Sequence, residues 1–282
     1  MHTTAMSNGK LFFDTYVAPL GDVSVVDIGA QDVNGSLRQV CPANARYVGV
    51  DFERAKGVDV VLTDPYSFPF ESESIDVVVS SSCFEHSELF WLAFIDILRI
   101  LRPGGLFYLN VPSNGAFHRY PVDCWRFYPD SGKALVTWAS RCGVSTALLE
   151  SFTSHQDKEF WNDFVAVFLK DEGRIEDHPR RMLPSHPSFE NGRMHGSTEI
   201  INPADFSEDY RRSQQFLQAL HREMARSQHL VAGLAEVSQH VEPLDRALAQ
   251  ARHDAESAHR DLDALRGRLA GLEAIAKHGA IP

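Results

Sequence analysis

The side chains best able to do chemistry fall in two groups. In the first, the run 112–128 sets His118, Arg119, Tyr120, Asp123 and Arg126 among aromatic residues with neither helical nor strand periodicity. A carboxylate can hold a neighbouring imidazole in one tautomer, so His118 with Asp123 is a candidate base for taking a hydroxyl proton. His86, beside Glu85, competes for that role. Arg126 can clamp an acceptor's phosphate or carboxylate through paired hydrogen bonds, with Arg119 and Tyr120 as further acceptor contacts. Asp123 and Arg126 are also spaced as a plain i,i+3 ion pair.

In the second group, acids end apolar runs. Val25-Val26-Asp27-Ile28-Gly29 breaks into the polar turn Gln31-Asp32-Val33-Asn34-Gly35, and Tyr47-Val48-Gly49-Val50 ends in Asp51. Asp51 follows Asp27 by 24 residues, close to the roughly 20-residue offset at which an acid on a second strand accepts ribose hydroxyls. Gly29, with no Cβ, lets backbone come close to a ligand.

Positioning these groups requires strands. Runs 58–62, 75–82 and 106–111 are nearly continuous in apolar residues, as strands buried on both faces of a parallel sheet must be. A helix over 88–101 stops at Arg102-Pro103-Gly104-Gly105, and a short one can start at 36–40. The aromatic segment Leu11-Phe12-Phe13 with Tyr16 reads as a short helix packed beside the first strand, after a disordered 1–9. Strands at 144–152 and 164–169 are too close for a helical crossover and form an antiparallel hairpin. The fold class is therefore α/β, a doubly wound sheet with one antiparallel terminal strand.

Composition narrows the classes of function. A net charge of −11 disfavours a general nucleic-acid-binding surface. Cys41, Cys83, Cys124 and Cys142 lack the spacing of a disulfide framework or a zinc knuckle. No apolar run nears the about 18 residues that would span a bilayer, and no leader pattern opens the chain, so a cytoplasmic location is expected.

Together these residues resemble the class I S-adenosylmethionine-dependent methyltransferases over about 25–170. Asp27-x-Gly29 is similar to that family's first motif, and Asp51 matches its ribose-binding acid. Asp64 matches the residue that commonly meets the adenine amino group. The stretch from Phe68-Pro69-Phe70 through Ile75-Asp76-Val77-Val78 to Glu85-His86 resembles the fourth-strand motif, and Leu101-Arg102-Pro103-Gly104-Gly105 the hallmark before strand five. The resemblance implies S-adenosyl-L-methionine as cofactor, held by Asp27, Gly29, Gln31, Asp51, Asp64 and Ser81. Gln31 stands where the family usually has glycine, which also defeats the dinucleotide fingerprint and disfavours an NAD-dependent oxidoreductase. Some relatives bind metal through Glu-x-x-Glu-His; Ser82 replaces the first glutamate here, and no metal is expected. The 112–128 loop resembles one in bacterial members that serve glycan assembly, implying O-methylation of a glycan or saccharide intermediate of cell-surface polysaccharide. A small-metabolite acceptor and an inactive scaffold acting through a coiled coil are the alternatives.

The expected organisation is a flexible 1–9, a methyltransferase domain over 10–172, a linker over 173–204 and a helical, coiled-coil region over 205–282. In that last region apolar residues recur at alternating four- and three-residue steps from Val237 to Leu272, about five heptads. The upstream stripe is out of phase and Pro243 lies near the joint, where a kink or break is expected. Homo-oligomerisation through these helices follows.

Overall fold

The computed structural model describes residues 2–155 and 161–278. The chain divides into two units, Met1–Arg211 and Arg212–Pro282.

In the first unit the apolar runs form β1 (Val23–Ile28), β2 (Ala45–Asp51), β3 (Val60–Val61), β4 (Ile75–Ser81) and β5 (Leu101–Pro112). These pair in parallel in the order β3-β2-β1-β4-β5. β6 (Thr146–Ser154) and β7 (Asp163–Lys170) make the expected antiparallel hairpin, and β7 lies between β5 and β6. Most of their polar connection, 156–160, is outside the described residues.

Strand alternation sorts side chains onto two faces. Val78, Phe107 and Leu109 face one apolar cluster, while Val77, Val79, Leu106 and Tyr108 face the other. The second face is covered by α1 (Thr3–Phe12) and the aromatic turns after it. The first is covered by α2 (Phe90–Ile100) and α3 (Ser131–Arg141), which bury Phe94, Ile97, Leu135 and Ala139. The expected helix at 36–40 is a single 3-10 turn, Leu37–Gln39.

Three expectations are corrected. Residues 3–12 are helical, with Ala5, Asn8, Gly9 and Phe12 buried along one face. Thr, Ser, Asn and Gly give this stretch poor intrinsic helicity. Tertiary contacts supply what propensity lacks: Phe12 stacks on Tyr108 at 4.6 Å, and the Asn8 amide donates to Asn110 Oδ1 at 3.1 Å.

The segment 173–204 is no open linker, because it contributes an eighth strand, β8 (Phe189–Met194), antiparallel to β6. The buried Glu150 carboxylate anchors this segment by accepting from the backbone of Met182 at 2.6 Å and Leu183 at 2.9 Å, and also from the Tyr16 hydroxyl at 2.6 Å.

Finally, α4 (Glu208–His278) runs through Pro243 without a break. A proline ring holds a helix-compatible φ. The Gln239 carbonyl, deprived of its donor, belongs to an exposed stretch where water can serve it. No helix among the described residues is long and apolar enough to cross a membrane.

Candidate active site

A cavity of about 860 Å³ opens at the carboxyl ends of β1 and β4, where the strand order changes direction. Such a switch point leaves a crevice in which open α/β sheets hold ligands. Gly29 and Gln31 after β1, Asp51 on β2, Ser81 on β4, and His118 and Trp161 beyond β5 all line it.

The cavity's β1 side is shaped by close approach of backbone. Gly29 has φ +81, and a Cβ placed there would lie 2.6 Å from Cys83 Cβ, so another residue would force these segments apart. Asp51 accepts from Phe52 N at 2.7 Å and Glu53 N at 3.5 Å through Oδ1, and from Gln31 N at 3.3 Å through Oδ2. Oδ2 keeps a second lone pair and the Glu53 contact on Oδ1 is long, so the carboxylate can still receive neighbouring hydroxyls. Ser81 Oγ is buried at the wall without a hydrogen-bond partner among the described residues. With apolar Ile28 and Leu62 alongside, this donor and acceptor set fits a nucleoside, and Gly29, Gln31, Asp51 and Ser81 are the residues that would hold it.

Two residues expected at the cofactor stand elsewhere. Asp27 is buried behind the wall, where it accepts from the Tyr47 hydroxyl at 2.6 Å; burial pushes its carboxyl up to about 7. Asp64 is exposed and closes a local turn by accepting from Tyr66 N at 2.8 Å, while Leu62 and Tyr66 reach the cavity.

The opposite wall is built by folding 115–126 onto Glu85, whose carbonyl accepts from Cys124 N at 2.7 Å and Trp125 N at 3.2 Å. His86 Nδ1 lies 2.5 Å from the Val122 carbonyl. A carbonyl can only accept, so Nδ1 carries the proton and Nε2 keeps its lone pair. Burial holds the His86 pKa below its usual value, favouring this neutral form. The His86 and His118 rings meet edge-on at 4.8 Å, and His118 meets Trp161 at 4.7 Å. Trp161 closes against Gly115, where φ is +106 and a Cβ would lie 2.1 Å from the indole.

The geometry corrects the expected Arg126 clamp, and it keeps His118 beside Asp123 while tying that carboxylate to Arg126 as well. Asp123 accepts from Arg126 at 2.6 and 2.9 Å and from the His118 backbone N at 2.7 Å. Its distance to His118 Nδ1 is 3.4 Å. The guanidinium draws the Asp123 carboxyl down to about 2. Arg126 also donates to the Trp125 and Ala116 carbonyls at 2.7 and 2.8 Å, so its fork is committed to holding the loop. Arg119 is exposed and donates to the Pro121 carbonyl at 3.2 Å, away from the cavity wall that Tyr120 reaches.

Glu85, His86 and His118 bring one ligand atom each within 4.8 Å of one another, a set that could also take a metal ion. Glu85 is buried, which pushes its carboxyl up to about 8, and its Oε2 lacks a hydrogen-bond partner among the described residues. Sequence reasoning, working from the replacement at Ser82, did not assemble this trio, since His118 arrives from a separate loop. It also missed Trp161 and Asp163 on the wall, which have no local signature and reach the cavity through the placing of β7 beside β5.

The family model described as "Methyltransferase domain" matches residues 17–109. Among curated relatives, phthiotriol/phenolphthiotriol dimycocerosates methyltransferase 1 of Mycobacterium ulcerans is 38% identical over 86 residues, 25% of this chain and 31% of that one. Phthiotriol/phenolphthiotriol dimycocerosates methyltransferase of Mycobacterium tuberculosis is 30% identical over 122 residues, 37% of this chain and 43% of that one. The chain thus spans less than half the length of these relatives. Among solved structures, Burkholderia thailandensis 1,6-didemethyltoxoflavin-N1-methyltransferase, with bound 1,6-didemethyltoxoflavin and S-adenosylhomocysteine, aligns at TM-score 0.46 and 16% identity, over 60% of this chain and 79% of that one. The family match runs from the turns before β1 to Leu109 in β5, so residues 17–109 are similar to a methyltransferase domain.

Proposed function

We propose that the chain methylates a hydroxyl group, binding S-adenosyl-L-methionine and its acceptor on opposite walls of the one cavity. The observation that carries this is that Asp51 and a tautomer-fixed His86 line the same cavity. When bound, S-adenosylmethionine supplies a methyl group on a sulfonium, open to in-line displacement by an oxygen.

The chain's own part is to align the partners, exclude water and accept a proton. Asp51 receives the ribose hydroxyls, and the narrow approach at Gly29 sets how deep the nucleoside sits. His86 Nε2 takes the acceptor's hydroxyl proton. His118, Tyr120 and Trp161 wall the acceptor side.

The proposed acceptor is a glycan or saccharide intermediate of polysaccharide assembly, supported by the aromatic and polar character of that wall, since flat rings receive the apolar faces of sugars. The names of the relatives favour a second reading, an acceptor of the phthiotriol type. We further propose that the chain works in the cytoplasm, in keeping with its four free cysteines, and that it self-associates through α4.

Calorimetric titration of S-adenosylhomocysteine into wild type and Asp51→Ala tests the cofactor site. Micromolar binding weakened by the substitution is expected, and absence of binding to wild type overturns the reading. A turnover screen across saccharide and phthiotriol-type acceptors then separates the two acceptor classes.

A further inference from the structure

We infer that α4 pairs with α4 of a second copy of this chain as a parallel, in-register, two-stranded coiled coil. The inference rests on the self-association proposed above and adds its direction, register and strand number.

The four- and three-residue steps fix the heptad frame. Val241, Leu248, Leu262 and Leu269 take one core position, conventionally a, and Leu244, Leu265 and Leu272 take the other, d. All are exposed within the single chain: Leu244 by 68%, Leu265 by 60% and Leu272 by 64%. An apolar stripe of this length on a 71-residue helix is unstable as a water-facing surface and calls for a partner with the same periodicity.

The flanking positions supply the direction. In a parallel pair, the residue before each a position (g) meets the partner residue five places further on (e). This sets Asp261 against Arg266 of the second copy and Arg268 against its Glu273, with each contact repeated by symmetry. The same rule sets His240 against Asp245 and Asp254 against His259, each an imidazole N–H donor facing a carboxylate acceptor. No g position from 240 to 268 meets a like charge under this alignment.

Antiparallel pairing reverses the result. Opposing Ala255 to Ala258 of the second copy puts Asp254 beside Asp261 and Arg252 beside Arg266. Within one chain, Arg266 Nη1 is 3.5 Å from Asp263 and His259 Nε2 is 3.7 Å from the same carboxylate. These exposed pairs are weak and leave both cations able to turn towards a partner.

Strand number follows from the seam's width. Ala251, Ala255 and Ala258 form successive core layers with little volume, and parallel register stacks each on its own copy, allowing close approach of two helices. Larger bundles draw on apolar e and g residues, whereas here those positions from 238 to 273 are polar or charged apart from Ala247.

The test uses the full-length chain. Its mass is measured by light scattering at micromolar concentration, and Leu265→Cys is oxidised alongside wild type, which accounts for the native thiols. A dimeric mass and a disulfide-linked dimer beyond the wild-type background are expected. Glu273→Arg should weaken the dimer about tenfold, and Arg268→Glu with Glu273→Arg should restore it, since each symmetric pair is worth a few tenths of a kcal/mol and reversal counts twice. A monomeric mass overturns self-association itself. A trimeric or larger mass overturns two-strandedness. A dimer that neither cross-links at position 265 nor responds to Glu273→Arg overturns the parallel register while leaving self-association standing.

Discussion

His86 and His118 meet edge-on at 4.8 Å, and His86 Nδ1 lies 2.5 Å from the Val122 carbonyl while His118 Nδ1 lies 3.3 Å from that of Ala116. A base needs its ring held in one tautomer, and the tighter carbonyl contact makes His86 the stronger of the two. His86→Ala should lower turnover about 10²- to 10⁴-fold, the usual worth of a positioned base. His118→Ala should cost less, through a looser acceptor wall. Calorimetry should give both variants unchanged affinity for S-adenosylhomocysteine. Chelator should leave wild-type turnover intact; loss of turnover that magnesium restores would reassign both histidines as ligands.

Arg126 holds Asp123 through two hydrogen bonds, and the Asp123 side chain is only 2% exposed. Arg126→Ala leaves a buried carboxylate short of its cation, which should destabilise the fold by about 2–4 kcal/mol. Arg126→Lys should recover little, since an ammonium cannot reproduce the fork. The sign with pH is set by a folded value of about 2 against an ordinary 3.8. The pair's stabilisation is fully present above pH 3.8 and is lost as pH falls through about 2. Urea midpoints of wild type and Arg126→Ala should therefore converge in strong acid.

Asp27 works in the opposite direction. Burial raises its carboxyl from 3.8 to about 7, so the folded chain binds this proton more readily than the unfolded chain. Its favourable contribution is present below pH 3.8 and is lost as pH rises through about 7. Asp27→Asn retains an oxygen for the Tyr47 hydroxyl and removes the titration. The stability of wild type relative to Asp27→Asn should fall by on the order of 3–4 kcal/mol between pH 4 and pH 8, read from denaturant unfolding at each pH.

What could be read from the sequence, and what could not, follows from the range over which each feature is encoded. Strands β1, β4 and β5 are buried on both faces, so their near-continuous apolar runs are legible residue by residue. Asp51 is legible because its place at a strand tip is fixed by local spacing. β8 reads Phe-Glu-Asn-Gly-Arg-Met, with a turn dipeptide inside it, and it is a strand because β6 offers an open edge. Arg126 illustrates the site's limit: its residue type suits a ligand clamp, but Asp123 and two backbone carbonyls occupy the donors of both Nη atoms. His118 and Glu85 are 33 residues apart, and only the fold of the loop between them brings them together.

Glu150 offers a direct test of whether 173–204 is part of the fold. Its carboxylate accepts from two backbone N–H groups and from Tyr16, so it joins β6 to the aromatic turns on one side and to residues 182–183 on the other. Glu150→Gln keeps the shape but replaces one acceptor oxygen with an NH2 group that must face an N–H donor. Leaving such a buried donor unsatisfied costs about 1–3 kcal/mol. Because the damage is local to the anchor, limited trypsin digestion should open the segment at Arg174, Arg180 and Arg181 faster than it attacks the sheet. Equal cleavage rates in wild type and variant would show that the pairing of β8 with β6 holds this segment without the carboxylate.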